Sequence, residues 1–573
     1  MNRNLTVADF FCGAGGFSEG FRQAGFKIVF ALDNWDVARQ THKLNHPECK
    51  HPGLDCHFET GGDILKIQTE RINEIVDDVD VIIGSPPCVS FSTSNKAGKA
   101  NKLLGLRLIE KYLQIIAIKK HKNNSQLKYW LLENVPNSKN YIKKQDTVGM
   151  LHLNNELLKS LGINKKESDI AISINNSGDN IYNSVYYSVP QKRERFICGE
   201  YPAPKKITPK ETDWITLGMI IDNLNAKKRQ IVDLNYNFSI LQEDLTDHYY
   251  DTIIPPFEWE EAKIKKQQAR YYGKMSFPEN PNQPSRTVMA TRSVLSRESM
   301  ILPNGSPGNY RAPTIREVAS LMSFPVTYLF QANNEASKYR LVGNAVCPKL
   351  AYSLAISILK NEGIDVRKPK IIKADKDKLL VDLRKTNPPK KTPRNKYPRS
   401  NFAEIIPDLK HNNFRVELDN GFPKNSRKRI AWRATLHHAT GKCDMKVCNP
   451  SIDKIESLLA SSKFNKEAKQ FIHCIQKDFE GKIPDAETFQ KQHCEVNSMK
   501  NFLTPRGSLR LIKETSDFHF PESTYKNVFL ENKNVLRFGI RKIPNDVIPI
   551  RMLIAFYGLK YLTNLIKINN RDN

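Results

Sequence analysis

Cys88 closes the run Gly84-Ser85-Pro86-Pro87-Cys88, where two prolines stiffen the backbone just ahead of a thiol. A cysteine nucleophile needs that fixed presentation, plus a nearby positive charge or helix N-terminus that favours thiolate. Without such a setting a cysteine is an inert small hydrophobe. Glu133 follows the apolar pair Leu131-Leu132 and precedes Asn134-Val135-Pro136. A carboxyl at the end of an apolar strand is partly desolvated, so its pKa should rise and make it a candidate proton donor. In water it would be an ordinary strand-end acid. In Gln191-Lys192-Arg193-Glu194-Arg195-Phe196, alternation puts Gln191, Arg193 and Arg195 on one face and Lys192 and Glu194 on the other. Two guanidiniums on one face can hold a base carbonyl or brace an acid; otherwise the run is a solvated face.

A fourth group opens the chain: Asp9-Phe10-Phe11-Cys12-Gly13-Ala14-Gly15-Gly16-Phe17. Glycines between a strand and a helix let the backbone approach a ligand, and the helix N-terminus favours negative charge. The pattern is not GxGxxG, so a dinucleotide is not the first expectation. Asp33 ends the next strand, where a carboxylate can bond ribose hydroxyls. Asp63, in Gly62-Asp63-Ile64, sits where a third strand should end and could face an adenine amine. Together these residues point to an adenosine-containing ligand.

The elements that must position them alternate. Residues 5–10, 27–32, 79–83 and 128–132 read as strands, and 17–24, 35–44 and 107–119 as helices. That alternation implies βαβ units and a mostly parallel sheet, an α/β fold with ligands at the carboxyl ends of its strands. Each chemical motif falls at such an end. Residues 89–106, with Gly98 and Gly105, read as a loop with glycine hinges. Residues 311–358 return to helical patterning, with Gly343-Asn344 between.

The 573 residues allow about three or four domains. Hydrophobic residues at 39% support real cores, and 26% charged residues argue against a wholly disordered chain. The net charge of +27 suggests a polyanionic partner, nucleic acid first and an anionic membrane surface second. The chain is also rich in Lys and Asn, a compositional bias that raises the charge without any partner. No run of 18 apolar residues suggests a membrane span, and the start lacks an apolar signal segment. Ten cysteines are too sparse for a disulfide scaffold, so reduced thiols in a cytoplasmic protein are expected.

Taken in order, DFFCGAGGFSEGF, GDI, GSPPCVSFS, ENVP, VPQKRERF, PSRTV and RLVGNAV resemble the motif series of the DNA cytosine-5 methyltransferases, of the prokaryotic restriction–modification type. The resemblance spans residues 5 to about 358. It implies a Rossmann-like methyltransferase fold, S-adenosyl-L-methionine as methyl donor, and a cytosine flipped out of double-stranded DNA as substrate. It implies Cys88 as the nucleophile toward C6, Glu133 as the group holding and protonating N3, and Arg193 and Arg195 near the base carbonyl and the acid. Phe11, Cys12, Gly13, Ala14, Gly15, Gly16, Asp33, Asn34, Trp35, Asp63, Ile64, Pro86, Asn344 and Ala345 would surround the cofactor. A cognate restriction endonuclease is an implied partner. Two residues depart from the pattern. Val89 stands where the family has Gln, and Asn34 separates the ribose-binding acid from Trp35, leaving the residue that stacks on adenine open.

The implied layout is a catalytic domain over 1–200 and 284–360, a target-recognition region over 201–283, a linker over 361–399, and a basic domain over 400–573. The recognition region offers Lys205, Lys206, Lys227, Lys228, Arg229 and Arg270 with Trp214, Trp259, Tyr271 and Tyr272 for base-edge and phosphate contacts. Residues 361–573 hold 42 Lys+Arg against 24 Asp+Glu, and 1–360 hold 46 against 37. The last third thus carries most of the excess charge. There, Arg415, Lys424, Arg427, Lys428, Arg429 and Arg433 interleave with Phe414, Phe422 and Trp432, which suits either a nucleic-acid surface or a solvated face. An accessory DNA-binding or dimerisation domain is the preferred reading. Asp408 with Glu480-Gly481-Lys482 only faintly resembles a metal-dependent nuclease signature. His437, His438, Cys443 and Cys448, and likewise Cys49, His51, Cys56 and His57, fit no standard zinc spacing, so no metal is expected. The alternatives are an RNA cytosine-5 methyltransferase, a fused nuclease, and a non-catalytic DNA-binding relic; Cys88, Glu133, Arg193 and Arg195 are all present, which argues against a relic.

Overall fold

The structure is a computed structural model. It describes residues 4–55, 61–88, 91, 102–174, 180–225, 228–250, 252–267, 275–291, 293–294, 296–306, 308–366, 371, 374–385, 402–406, 409, 414–421, 430–439, 445–448, 450–494, 501–532, 535–536 and 546–570. The chain divides into two compact units, one of Met1–Lys265 with Ser276–Lys390 and the other of Lys266–Met275 with Lys391–Asn573.

The first unit is built on strands β1 (Thr6–Phe10), β2 (Lys27–Leu32), β3 (Val81–Gly84), β4 (Tyr129–Asn134), β5 (Ile181–Asn183) and β6 (Glu194–Glu200). Their order across the sheet is β2-β1-β3-β4-β6-β5. The first four run parallel, and the last two are antiparallel additions. β3 and β4 are buried along their whole length, as strands covered on both faces must be. The chain passes from β1 to β2 on one side and then crosses to β3 on the other. The order therefore reverses between β1 and β3, the place where doubly wound sheets take their ligands. Ser85 N donates to Phe10 O at 3.1 Å across that point.

Helices α1 (Gly16–Gln23) and α2 (Asp36–Asn45) follow β1 and β2, and α3 (Lys102–His121) precedes β4. Helix α3 starts five residues earlier than its periodicity suggests, so residues 102–106 are helix and not loop. Residues 89–90 and 92–101 of that expected loop lie outside the described residues. No third strand ends at Asp63. Left-handed Gly61 and Gly62 break the chain there, and Asp63 caps a short 3-10 turn, Ile64–Lys66, by accepting from Leu65 N at 3.0 Å. Among the described residues, the sheet edge beside β2 is met by a single bridge, Phe30 to Lys50.

Farther along are α4 (Ile315–Leu321), α5 (Glu335–Asn344) and α6 (Pro348–Asn361). Gly343 and Asn344 end α5; the break is at Ala345–Cys347, before a proline that cannot continue a helix. α5 and α6 together are apolar enough to match a membrane span in length, but most of that stretch is buried, and α6 packs on α1. The segment expected as a linker is folded in part onto this unit. Leu383 is buried, and the buried Lys338 pairs with Asp247 at 2.7 Å and with the carbonyl of Val381. Residues 386–399 lie outside the described residues.

The second unit has its own core. An antiparallel meander of β7 (Ala403–Ile405), β8 (Phe414–Asp419), β9 (Arg433–Ala439) and β10 (Met445–Cys448) packs on α10 (Ile550–Asn569), with α7 (Ile452–Ala460), α8 (Asn465–Phe479) and α9 (Pro505–His519) around that helix. α10 is central, with every residue of Ile550–Lys560 buried. Phe414 and Trp432 are core residues, so they do not interleave with the basic residues on a surface. Alternation turns Arg415, Glu417 and Asp419 to the opposite face of β8. Phe422, Lys424 and Arg427–Arg429 lie outside the described residues. His437 and His438 are neighbours on β9 and point to opposite faces, so they cannot share one ion. Glu480–Lys482 is an exposed turn after α8, and Asp408 lies outside the described residues.

Candidate active site

Glu133 lies at the end of β4 with only 5% of its surface exposed. The burial anticipated from its apolar strand is accompanied by two donors. Ser85 Oγ donates to Glu133 Oε2 at 2.5 Å, and Arg195 Nε lies 2.9 Å from Oε1. Ser85 starts the turn after β3 and Arg195 comes from β6, so three strands meet at this carboxylate. The Ser85–Cys88 turn is itself pinned: Asn134 Nδ2 donates to Pro86 O at 3.0 Å, while Asn134 Oδ1 accepts from Val135 N.

Cys88 is partly exposed and a free thiol. Burial pushes its pKa up; Arg195 and Arg193 pull it down, and Glu133 pushes it up. The thiol, the acid and the Arg195 cation therefore sit within electrostatic reach of one another. Such an arrangement can present a sulfur nucleophile on one side of a planar base and a hydrogen-bonding carboxylate on its edge.

The predicted alternation is seen at residues 191–195, with Gln191 and Arg193 buried, Arg195 largely so, and Lys192 and Glu194 exposed. The two arginines then diverge. Arg193 donates to Val288 O at 3.0 Å, to Gly343 O at 2.9 Å and to Ala345 O at 3.2 Å. It clamps three carbonyls on two distant backbone segments and does not reach Glu133 among the contacts described. Gln191 assists by donating to Leu321 O and accepting from Val288 N.

The glycine loop turns sharply after β1. Phe11 and Gly13 both adopt left-handed backbone (φ 58 and 55). Asp33 accepts from Gly13 N at 3.0 Å and from Trp35 N at 2.8 Å, which ties the ends of β1 and β2 together. Trp35 is half-buried with Arg340 over its ring, and Asn34 is exposed. Arg39 donates to both Asp33 O and Gly61 O at 2.6 Å, bringing Asp63 and Ile64 to the same side. Gly16 is needed for close packing: a Cβ there would stand 2.1 Å from Val346 O. Val346 thus lies against the start of α1, with Asn344 and Ala345 just before it in the chain. The sequence gives no hint of Tyr328, whose hydroxyl donates to Ala14 O at 2.6 Å and stands where a Cβ on Gly15 would be. Its partner is 314 residues away. The only local signal is an aromatic cluster, Phe324, Tyr328 and Phe330.

This doubly wound sheet with a thiol, a braced acid and a glycine loop at its switch point matches the family model for C-5 cytosine-specific DNA methylase over residues 5–360. The chain belongs to that family and is a DNA cytosine-5 methyltransferase. Among curated relatives, it is 28% identical over 376 residues to the type II methyltransferase M.MthTI of Methanothermobacter thermautotrophicus, covering 63% of this chain and 99% of that protein. It is 26% identical over 380 residues to the type II methyltransferase M.NgoPII of Neisseria gonorrhoeae, covering 62% and 96%. Among solved structures, the S. pombe Dnmt2 methyltransferase aligns with 63% of this chain and 100% of its own at 17% identity, with a TM-score of 0.40.

Proposed function

We propose that the chain transfers a methyl group from S-adenosyl-L-methionine to C5 of a cytosine flipped out of a specific double-stranded DNA sequence, through a covalent adduct of Cys88. The observation that carries this reading is the convergence of Ser85, Glu133 and Arg195 beside Cys88. The thiolate of Cys88 adds to C6 while Glu133 hydrogen-bonds N3 and delivers a proton there, so electron density rises at C5. Arg195 holds Glu133 in place, and an N–H of its guanidinium not used there would be offered to the base carbonyl. The cofactor, when bound, supplies an electrophilic methyl group. Loss of the C5 proton, return of the N3 proton to Glu133 and departure of the Cys88 sulfur restore the ring. A thiol cannot reach C6 inside a duplex, so the base must leave the stack.

The residues of the glycine loop fit this cofactor. A Cβ on Gly13 would meet only Phe11 O, at 3.9 Å, so the turn is open on that side. Phe11, Asp33 and Trp35 flank it, with Asp63, Ile64 and Pro86 on the neighbouring loops. The relatives named type II methyltransferases support a role as the modification arm of a restriction–modification system, with a cognate endonuclease, in the cytoplasm where the DNA is. Residues 201–283 would read the target. The second unit would serve as an accessory DNA-binding or dimerisation domain.

Bisulfite sequencing of plasmid DNA from a methylation-free host tests this, with Cys88→Ala beside the wild type. Protection of cytosines in one short motif by the wild type alone is the expected result. Absence of protection with folded protein present would remove the DNA reading and turn attention to RNA.

A further inference from the structure

We propose that His42, Cys49 and His51 form a binding site for one thiophilic divalent cation, zinc(II) first, beneath the glycine loop. One ligand atom from each lies within 4.8 Å of the others, and all three residues are buried. His42 Nδ1 and His51 Nε2 face each other at 2.8 Å. What the outer nitrogens touch decides how that contact is read. Ser18 Oγ donates to Asp9 Oδ2 at 2.6 Å, so the proton in the contact between His42 Nε2 and Ser18 Oγ, 2.9 Å long, comes from His42. A neutral His42 with its proton on Nε2 has a bare Nδ1. On the other ring, His51 Nδ1 has no hydrogen-bond partner and lies 3.5 Å from Asp55 Oδ2. A carboxylate there favours the tautomer protonated on Nδ1, which leaves Nε2 bare. Two lone pairs then point at one another, with a buried thiol alongside.

A cation resolves that conflict. Histidine ligands of zinc pass their outer N–H to a carboxylate or another acceptor, which fixes the tautomer. Here one ring leads to Asp55 and the other through Ser18 to Asp9. Two nitrogens and a thiolate supply three of the four donors of a tetrahedral zinc, with Zn–N at ~2.1 Å and Zn–S at ~2.3 Å and the fourth position left to water. Closing the cluster onto those lengths takes shifts of about 1 Å. The sequence spacing of Cys49 and His51 hides the site because the third ligand comes from α2. Cys56 and His57 lie outside the described residues. The ion would also brace the loop: the His42 ring would stand 3.0 Å from a Cβ on Gly15, so a cation here would stiffen the floor of the loop.

The full chain, purified without chelator and dialysed, is expected to carry about one zinc by mass spectrometry of metals, with a loss of at least about five-fold in Cys49→Ser and in His51→Gln. Cobalt(II) added to metal-stripped wild type should give a thiolate charge-transfer band in the near ultraviolet, retained in Cys88→Ala and absent in Cys49→Ser. Substoichiometric zinc with no cobalt band would overturn the site and leave a plain imidazole–imidazole hydrogen bond. A band that survives Cys49→Ser would overturn it as well, by assigning the metal to another cysteine. Should either variant fail to fold, the cobalt spectrum of the wild type decides: its absence sinks the proposal, and a tetrahedral spectrum with one sulfur and two nitrogen donors sustains it.

Discussion

Arg195 Nε stands 2.9 Å from Glu133 Oε1, joining the end of the parallel half of the sheet to the start of its antiparallel addition. The two residues are 62 apart in the chain and are brought together by strand pairing alone. Replacing Arg195 with Ala should lower the rate of methyl transfer by about 10²–10⁴, the usual worth of positioned acid–base chemistry. Arg195→Lys should restore little, because an ammonium lacks the planar fork that spans acid and base. Single-turnover transfer of labelled methyl, beside thermal unfolding, checks this; an unchanged rate would remove Arg195 from the chemistry.

Arg193 should behave differently although it is only two residues away. Burial pulls its pKa down to about 10, with the Arg195 charge acting in the same sense, so it is still charged at neutral pH. Arg193→Ala would leave three buried carbonyls without their donor, at about 3 kcal/mol or more of stability. Urea unfolding should show that loss.

Cys88→Ala should abolish methyl transfer and leave the melting temperature within a few degrees, since the side chain is small and partly exposed. Because burial holds the thiol above its ordinary pKa, alkylation of Cys88 in the free protein should be slow at neutral pH and accelerate as pH rises past the usual thiol range. Mass mapping of iodoacetamide adducts against pH reads this out. Fast labelling at pH 7 would mean that the arginines dominate.

Gly16→Ala should be poorly tolerated, since the new methyl would collide with Val346 O at 2.1 Å, a backbone atom. Displacing residues 343–346 also disturbs the Arg193 clamp. We expect a destabilised protein with weakened cofactor binding, seen by calorimetry with S-adenosyl-L-methionine; Gly13→Ala, which has room for a methyl but a left-handed φ, should be milder.

Asp233 is buried, accepting from Val326 N and Asn235 N, and burial raises its pKa to about 6. An acid raised on folding binds its proton more tightly in the native state. Its stabilising contribution is therefore full below about pH 4 and is lost as pH rises through 6, on the order of 2–3 kcal/mol. Asp233→Asn should flatten the stability difference between pH 4 and 7 relative to wild type. Parallel pH dependence in the two proteins would show that the carboxyl stays ionised throughout.

Much of the catalytic half was legible because its signals are local. Strand-then-turn patterns placed Gly13, Cys88 and Glu133 at strand ends, and two-residue alternation separated Arg193 and Arg195 from Lys192 and Glu194. Asp63 was misread because a Gly-Gly pair that ends a strand and one that starts a cap look alike along the chain. In the last third, basic residues interleaved with aromatics over 414–433 suggested a surface, while the fold buries Phe414 and Trp432 in a core.

By itself the sequence determined the chemistry on offer: a thiol behind two prolines, an acid after an apolar strand, a glycine turn before a helix, and the order in which they occur. Those features depend on neighbours within a few residues, where propensity and periodicity act. Only the tertiary structure decided which arginine meets the acid and which clamps backbone, that Tyr328 supports Ala14, and that His42 joins Cys49 and His51. Such pairings depend on strand order and on packing between segments tens to hundreds of residues apart, and no short-range pattern encodes them.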